Sequence, residues 1–184
     1  MDLLSSHPFW PIRDGLPVTF PPLDANVSCD VAVVGSGITG ALVAWSLATA
    51  GIDVVVLDRR EAAHGSTAGN TGLVLYELDE MLHRLASRIG AVAAGQAYRR
   101  CHRAVADFEA LLRSTRIECG YCARQSLYVA AVRGHVPRLC REFEARRAAG
   151  FEIEWWPRAR IAAGSSLPHA AAILSTGAAE IDPY

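Results

Sequence analysis

An apolar strand that runs directly into a glycine-rich turn is the feature that most constrains this chain. Residues 30–40 read DVAVVGSGITG, with glycines at Gly35, Gly37 and Gly40. The first glycine permits a sharp turn, the second lets the backbone approach a phosphate closely, and the third lets the following helix pack tightly on the strand. The N–H groups at the positive end of that helix attract a pyrophosphate. The spacing therefore predicts a strand, turn and helix that bind a phosphate-bearing ligand.

The sequence on both sides of this turn completes a βαβ unit. The apolar run Val31–Val34 predicts a buried strand of a parallel sheet, and Ile38–Ala50 predicts a helix that ends at Gly51. Residues 53–57 predict a second buried strand. The stretch has the roughly 30 residues that such a unit needs. We therefore predict an α/β protein that begins with a Rossmann-like domain.

An acidic residue ends the second predicted strand. Asp58 lies 18 positions after Gly40, close to the roughly 20 positions at which an acid accepts hydrogen bonds from the adenosine ribose. Its charge repels a 2′-phosphate, so the pattern disfavours NADP although Arg59 and Arg60 follow. The alternative is a solvated acid in a surface loop, but the strands, glycines, helix and acid all occur in register. The sequence therefore predicts an adenine-dinucleotide site.

The segment after the acid separates NAD from FAD. A simple NAD domain usually turns promptly into another helix, whereas residues 64–72 read HGSTAGNTG and show no periodicity. Small residues and hydroxyl groups in a long loop can line a cofactor beyond its ribose. The alternative is a flexible surface loop. We take the loop to favour FAD.

Composition bounds the remaining choices. The 184 residues are 51% hydrophobic with a formal net charge of −1, and no basic stripe indicates nucleic acid. No apolar run reaches the roughly 18 to 20 residues of a membrane-spanning helix, and the proline-rich start lacks the pattern of a signal peptide. Five scattered cysteines, an odd number, favour a reducing, cytoplasmic setting.

The rest of the chain mixes helices and short strands. Helical spacing returns after Asp79, a candidate N-cap. We expect helices over about 98–112 and 136–149, and strands over 126–132, 152–156 and 171–175. The predicted organisation is an extended proline-rich arm over 1–28, a dinucleotide-binding domain over 29–118, and the start of an α+β domain over 119–184.

Cys119 and Cys122 have dithiol spacing. A redox pair normally opens a helix, whose dipole stabilises the thiolate, but these two precede a predicted strand. No second pair completes a zinc site, so we predict structural cysteines and no metal.

The residues quoted above resemble the FAD-dependent amine and amino-acid oxidoreductases, the group of D-amino-acid oxidase, glycine oxidase, sarcosine oxidase and γ-glutamylputrescine oxidase. The resemblance rests on the strand, turn and helix of 30–50, the VVVLD strand end and the GSTAGNTG loop. An aromatic, proline-rich arm containing Phe9 and Trp10, and the ending Ile181–Pro183, are also similar to that family. The specific part is 30–72.

The resemblance implies FAD as the cofactor and assigns roles by position. The pyrophosphate would lie on the turn, the adenosine ribose on Asp58, and the adenine near Arg59. The loop hydroxyls would reach phosphate oxygens, and the end of the loop would approach the ribityl chain or the ring. The implied FAD-binding residues are Gly35, Ser36, Gly37, Ile38, Thr39, Gly40, Asp58, Arg59, Arg60, Ser66, Thr67, Asn70, Thr71 and Gly72.

The loop departs from the family at one informative place. The family often reads GASGRNGG, whereas here Gly69 stands at the arginine position and Thr71 at the next-to-last glycine. The loss of a guanidinium near the flavin puts the usual substrate class and ring electronics in doubt. Some relatives also attach flavin covalently through a histidine near the position of His64, but most loop histidines have no such role.

Family members are roughly twice this length, so the resemblance implies an incomplete fold, the N-terminal half of such an enzyme. Catalytic residues would lie mainly in the other half, and none is assigned here. The predicted activity is oxidation of an amine or amino-acid C–N bond, with a homo-oligomer or a partner chain supplying the remainder. The alternatives are an NAD-binding dehydrogenase-like domain, which leaves the loop over 65–72 unexplained, and an inactive truncated dinucleotide-binding module.

Overall fold

The computed structural model describes residues 7–16 and 18–184. They form two compact units. The first comprises the described residues up to Gly72 together with Asp182–Tyr184, and the second comprises Leu73–Ile181. The predicted boundary between residues 118 and 119 therefore falls inside the second unit.

The first unit contains the predicted βαβ arrangement. Strand β1 pairs in parallel with strand β2, in a register that runs from Val31 opposite Val54 to Val34 opposite Leu57. The connecting helix α2 begins directly after the glycine turn. The described elements of this unit are α1 (Phe9–Asp14), β1 (Val31–Val34), α2 (Ile38–Thr49) and β2 (Val54–Leu57).

The sequence predicts an extended arm over 1–28. The structure differs from this prediction at Phe9–Asp14, which form the short helix α1. Pro11 is the third residue of this helix, and proline is tolerated in a first turn, where its missing N–H has no intrahelical partner. Residues 1–6 and 17 lie outside the described part of the chain.

The sequence predicts that both parallel strands are buried, but the structure leaves part of each strand exposed. Val34 is 86% exposed and Val56 is 41% exposed. Within α2, which is described throughout, no residue is buried. A two-stranded sheet with one helix offers too little surface to cover an apolar run from both sides, so one face of the sheet lies open among the described residues.

The second unit is an antiparallel sheet with helices. The long strand β6 pairs with β4 along one edge and with β5 and β3 along the other. Because β3 pairs with β6, the segment that begins at Leu73 belongs with this sheet. Its elements are β3 (Leu73–Val74), α3 (Leu82–Ile89), α4 (Ala91–Thr115), β4 (Cys122–Val129), α5 (Val136–Ala148), β5 (Ile153–Pro157), α6 (Arg158–Gly164) and β6 (Ala171–Glu180).

The predicted α4, β4, α5, β5 and β6 are present with shifted ends, whereas β3 and α6 were not predicted. Asp79 is not the N-cap of α3, which is Met81. Two clusters form the core of this unit, one around Tyr76, Leu82, Ala94, Tyr98 and Val105, the other around Ala130, Leu139, Ala171 and Ile173. No helix among the described residues is long and apolar enough to cross a membrane.

A buried carboxylate performs the capping for α3. Glu142 of α5 accepts hydrogen bonds from the N–H groups of Leu82 and His83, each at 3.0 Å. The Arg146 Nε–H donates to the same carboxylate at 2.7 Å, and both side chains of this ion pair are at most 1% exposed. The pair therefore joins α5 to the first turn of α3.

Candidate dinucleotide site

Two positions of the glycine turn between β1 and α2 require glycine, Gly35 for its backbone angle and Gly40 for lack of room. Gly35 has a φ of +108°, a conformation that L side chains rarely adopt. A Cβ atom on Gly40 would lie 1.9 Å from the Gly35 carbonyl oxygen. The first and third glycines of the motif thus allow the sharp turn and the close contact of helix and strand that the sequence predicts.

The N-terminus of α2 is capped from the loop. The Ile38 N–H donates to the Thr67 hydroxyl oxygen at 2.9 Å, and Thr67 is only 7% exposed. The N–H groups of Thr39 and Gly40 lie in the same first turn, where no carbonyl within the helix can accept a hydrogen bond from them. The helix therefore presents amide donors beside the turn, as an anion site requires.

Asp58 is bonded to this turn. Its Oδ2 accepts the backbone N–H and the hydroxyl of Ser36, each at 2.8 Å, and its Oδ1 accepts the Arg60 N–H at 3.0 Å. These bonds, first that from the Ser36 backbone, lower the pKa of Asp58 to about 2. The carboxylate at the end of β2 is therefore ionised at neutral pH and lies beside the glycine turn.

The predicted cofactor loop folds back on the same turn. The Ala63 N–H donates to the Ser36 carbonyl at 3.1 Å, while the Asn70 side chain accepts the Gly72 N–H at 2.8 Å. Ser66, Asn70 and Thr71 are exposed. Thr67 is thus the loop side chain bonded to the α2 turn, and the Asn70 side-chain oxygen is engaged within its own turn.

A cavity of about 560 Å³ opens at the end of β2. Ser36, Asp58, Arg59 and Arg60 line one part of it, and arm residues 20–23 line another. The sequence predicts that the first group contacts the ligand, but it predicts no ligand contact for the arm. The arm's apolar residues and prolines do not indicate which other segment they lie against in the fold.

His64 and Tyr184 form a second contact within the first unit. The Nε2 atom of His64 lies 2.8 Å from the Tyr184 hydroxyl, and their ring centroids are 5.8 Å apart. One ring nitrogen of His64 is therefore engaged by the end of the chain. Covalent flavin attachment at this histidine, which most loop histidines lack, stays a hypothesis.

A parallel βαβ unit with a glycine turn, helix amides beside it and a strand-terminal carboxylate is the arrangement of the Rossmann-type fold. The family model described as DAO, FAD dependent oxidoreductase, matches residues 30–184. The chain belongs to this family of FAD-dependent oxidoreductases, which binds FAD. The resemblance stated from the sequence is therefore confirmed.

Individual relatives are similar over different spans. A putative Rieske 2Fe-2S iron–sulfur protein of Bacillus subtilis is 26% identical over 159 residues, which are 86% of this chain and 31% of that protein. The γ-glutamylputrescine oxidoreductase of Escherichia coli is 45% identical over 53 residues, 29% of this chain and 12% of that protein.

Solved structures show the same fold. The L-amino acid deaminase of Proteus vulgaris, in a form lacking its specific insertion, matches with a TM-score of 0.70 and 16% identity over 93% of this chain and 43% of its own. Glycine oxidase from Bacillus cereus matches with a TM-score of 0.63 and 17% identity over 85% of this chain and 40% of its own. The chain thus spans less than half of these relatives and carries part of the family fold, as predicted.

Proposed function

We propose that this chain binds FAD and forms the cofactor-binding part of an oxidoreductase that oxidises the C–N bond of an amine or amino acid. The observation that carries the proposal is the position of Asp58. Its ionised carboxylate ends β2 and is bonded to Ser36 in the middle of the glycine turn. An acid beside such a turn suits the ribose hydroxyls of an adenine dinucleotide and disfavours a 2′-phosphate.

The geometry of the turn fits this cofactor. A Cβ atom on Gly40 would overlap the Gly35 carbonyl, and one on Gly37 would lie 3.0 Å from the Thr67 hydroxyl. The absence of side chains leaves the backbone free to approach a pyrophosphate, and the first-turn amides of α2 supply donors for it. Residues 35–40 would hold the pyrophosphate, and Asp58 the ribose.

When bound, the flavin supplies the capacity to accept a hydride from the substrate. The chain's own contribution is to bind and orient. Thr67 fixes the loop to the helix N-terminus, and Asn70 shapes the end of the loop through its bond to the Gly72 N–H. We assign the remaining cofactor contacts to Ser66, Thr71 and the backbone of Gly72 in this loop.

The C–N assignment is supported by the activities in the names of similar proteins. They include the γ-glutamylputrescine oxidoreductase, glycine oxidase and L-amino acid deaminase. One chain of an anaerobic glycerol-3-phosphate dehydrogenase of Haemophilus influenzae is also 44% identical over 50 residues. The substrate experiment therefore has to separate amine oxidation from alcohol oxidation.

The visible absorption spectrum of the purified protein tests the cofactor. We expect flavin bands, or their appearance with a shifted spectrum on titration with FAD, and their loss in Asp58→Ala. A colourless protein that binds NAD and not FAD would overturn the proposal in favour of an NAD-binding domain.

Anaerobic addition of amines and amino acids to the flavin-loaded protein, in complex with any partner chain that co-purifies with it, tests the substrate class. We expect a member of this class to bleach the flavin bands. Bleaching by glycerol 3-phosphate and by none of the amines would contradict C–N oxidation while leaving FAD binding intact.

A further inference from the structure

The part of the arm described over residues 7–16 and 18–23 belongs to the first unit. The beginning of this part contacts the rest of that unit. The indole N–H of Trp10 donates to the Asn70 carbonyl at 2.8 Å. Arg13 forms an ion pair with Asp182, and its guanidinium carbon lies 4.8 Å from the Trp10 ring centroid. The arm is therefore tied to the end of the cofactor loop and to the last residues of the chain.

The far end of the arm lies at the other end of the predicted cofactor site. Residues 20–23 line the cavity of about 560 Å³ that also contains Asp58 and Arg59. The end of β2, at Val56 and Leu57, contributes further apolar surface. The cavity thus combines apolar residues of the arm with charged side chains, among them the Asp58 carboxylate and the Arg59 guanidinium.

Three large apolar side chains of this cavity are open to solvent. Phe20 is 68% exposed, Leu23 is 58% exposed and Val56 is 41% exposed. Apolar walls with a few placed polar groups are typical of small-molecule sites, and an exposed apolar cluster commonly marks a binding surface. A flat purine covers such a wall with its faces while its ribose reaches a neighbouring acid.

We propose that Phe20 and Leu23 form the wall on which the adenine ring of the dinucleotide packs, next to Asp58, which holds the ribose. This inference rests on the function proposed above and extends the binding site to a segment outside the βαβ unit. The wall recognises the adenosine end by ring stacking and apolar contact. It therefore contributes to binding of any nucleotide with that end, including ADP, which has no flavin.

Paired double variants of the whole chain test the wall. Phe20→Ala with Leu23→Ala removes two apolar side chains that line the cavity. Phe9→Ala with Leu16→Ala removes the same side chains from the same arm, where they are 61% and 52% exposed and do not line the cavity. Binding of ADP and of FAD is titrated for each variant and for the wild type, with circular dichroism to confirm folding.

We expect the cavity pair to weaken ADP and FAD binding by at least about tenfold, because loss of ring stacking on a base has an effect of that size. The control pair should change either affinity less than about twofold. The proposed role of the wall would be overturned if the cavity pair bound ADP and FAD as tightly as the wild type, or if both pairs lost affinity equally. A wild type that binds neither ligand would overturn the proposed function itself.

Photolabelling with 8-azido-ADP provides a measurement independent of the substitutions. The azide is carried on the adenine, so we expect labelled positions within residues 20–23, mapped by tandem mass spectrometry. Labelling confined to segments outside the cavity, in a protein that binds ADP, contradicts the proposal even if the variants lose affinity.

Discussion

Ser36 donates two hydrogen bonds to a single oxygen of Asp58, one from its backbone N–H and one from its hydroxyl, each at 2.8 Å. The first bond fixes the acid to the backbone of the glycine turn, and the second depends on the serine side chain. The two contributions can be separated by substitution.

Ser36→Ala should raise the pKa of Asp58 from about 2 part of the way to its ordinary 3.8. The rise should be incomplete, because the backbone bonds from Ser36 and Arg60 remain. NMR titration of the Asp58 carboxyl measures it, and an unchanged pKa would show that the hydroxyl bond has no influence.

Because the folded pKa lies below the unfolded value, ionised Asp58 favours the folded state above pH 3.8, and this contribution fades as the pH falls towards about 2.

Gly40→Ala should destabilise the first unit by at least about 2 kcal/mol and abolish dinucleotide binding. The new Cβ would lie 1.9 Å from the Gly35 carbonyl oxygen, so helix and strand must separate. The matched control is Gly69→Ala, whose Cβ would have its nearest contact at 3.8 Å, with the Ser66 carbonyl oxygen. Thermal unfolding compares them, and equal stability of the two variants would contradict the steric argument.

Glu142→Ala should destabilise the second unit by about 3 kcal/mol, since it removes the closer partner of the buried Arg146, which keeps only its 3.4 Å ion pair with Glu77, and uncaps α3. Asp107→Ala, which removes an ion pair with Arg103 at the same helical spacing, should change stability by about 0.5 kcal/mol or less. The difference arises because the Asp107 and Arg103 side chains are 67% and 82% exposed. Urea unfolding measures both, and a similar cost at the two sites would refute the role assigned to burial.

The same carboxylate should make stability depend on acid. Burial raises the pKa of Glu142, but the hydrogen bonds from His83, Arg146 and Leu82 outweigh burial and hold it below its ordinary 4.5. Its ionised form therefore stabilises the fold above pH 4.5, and this contribution declines as the pH falls through the folded pKa. Unfolding midpoints measured from neutral pH down to acid should decline less steeply in Glu142→Ala than in the wild type.

Trp10→Phe should loosen the arm by about 0.5 to 1.5 kcal/mol, because it keeps a ring but loses the indole N–H that donates to Asn70. Hydrogen exchange should become faster in α1 and little changed in β1. Trp45→Phe, on the half-exposed surface of α2, is the control and should leave exchange in α1 unaltered.

The sequence predicted the βαβ unit with few errors because its determinants are local. Glycine spacing, an apolar run and a strand-terminal acid all lie within 30–58. It could not reveal that Thr67 caps α2 from 29 positions beyond Ile38, or that Glu142 caps α3 from 60 positions beyond Leu82. Residue type alone favours Asp79 as a cap, but the distant Glu142 carboxylate provides the acceptors.

Two other errors have physical causes. The prolines of the arm predict no helix, but Pro11 lies in a first turn, where a helix needs no N–H. The apolar runs of β1 and β2 predicted burial, but burial depends on a covering layer that a strand's own sequence does not specify. The arm's position at the cavity escaped prediction for the same reason, since Phe20 and Asp58 line one cavity only through the fold.

The bond between Thr67 and the Ile38 amide has a consequence for the rate of ligand capture. It fixes the loop against the helix in the folded chain, so ligand binding does not have to order that segment. Association with a preformed site loses less conformational entropy and proceeds without a slow closing step. Thr67→Val, which keeps the shape of the side chain without its hydroxyl, should therefore slow FAD association more than it speeds FAD release.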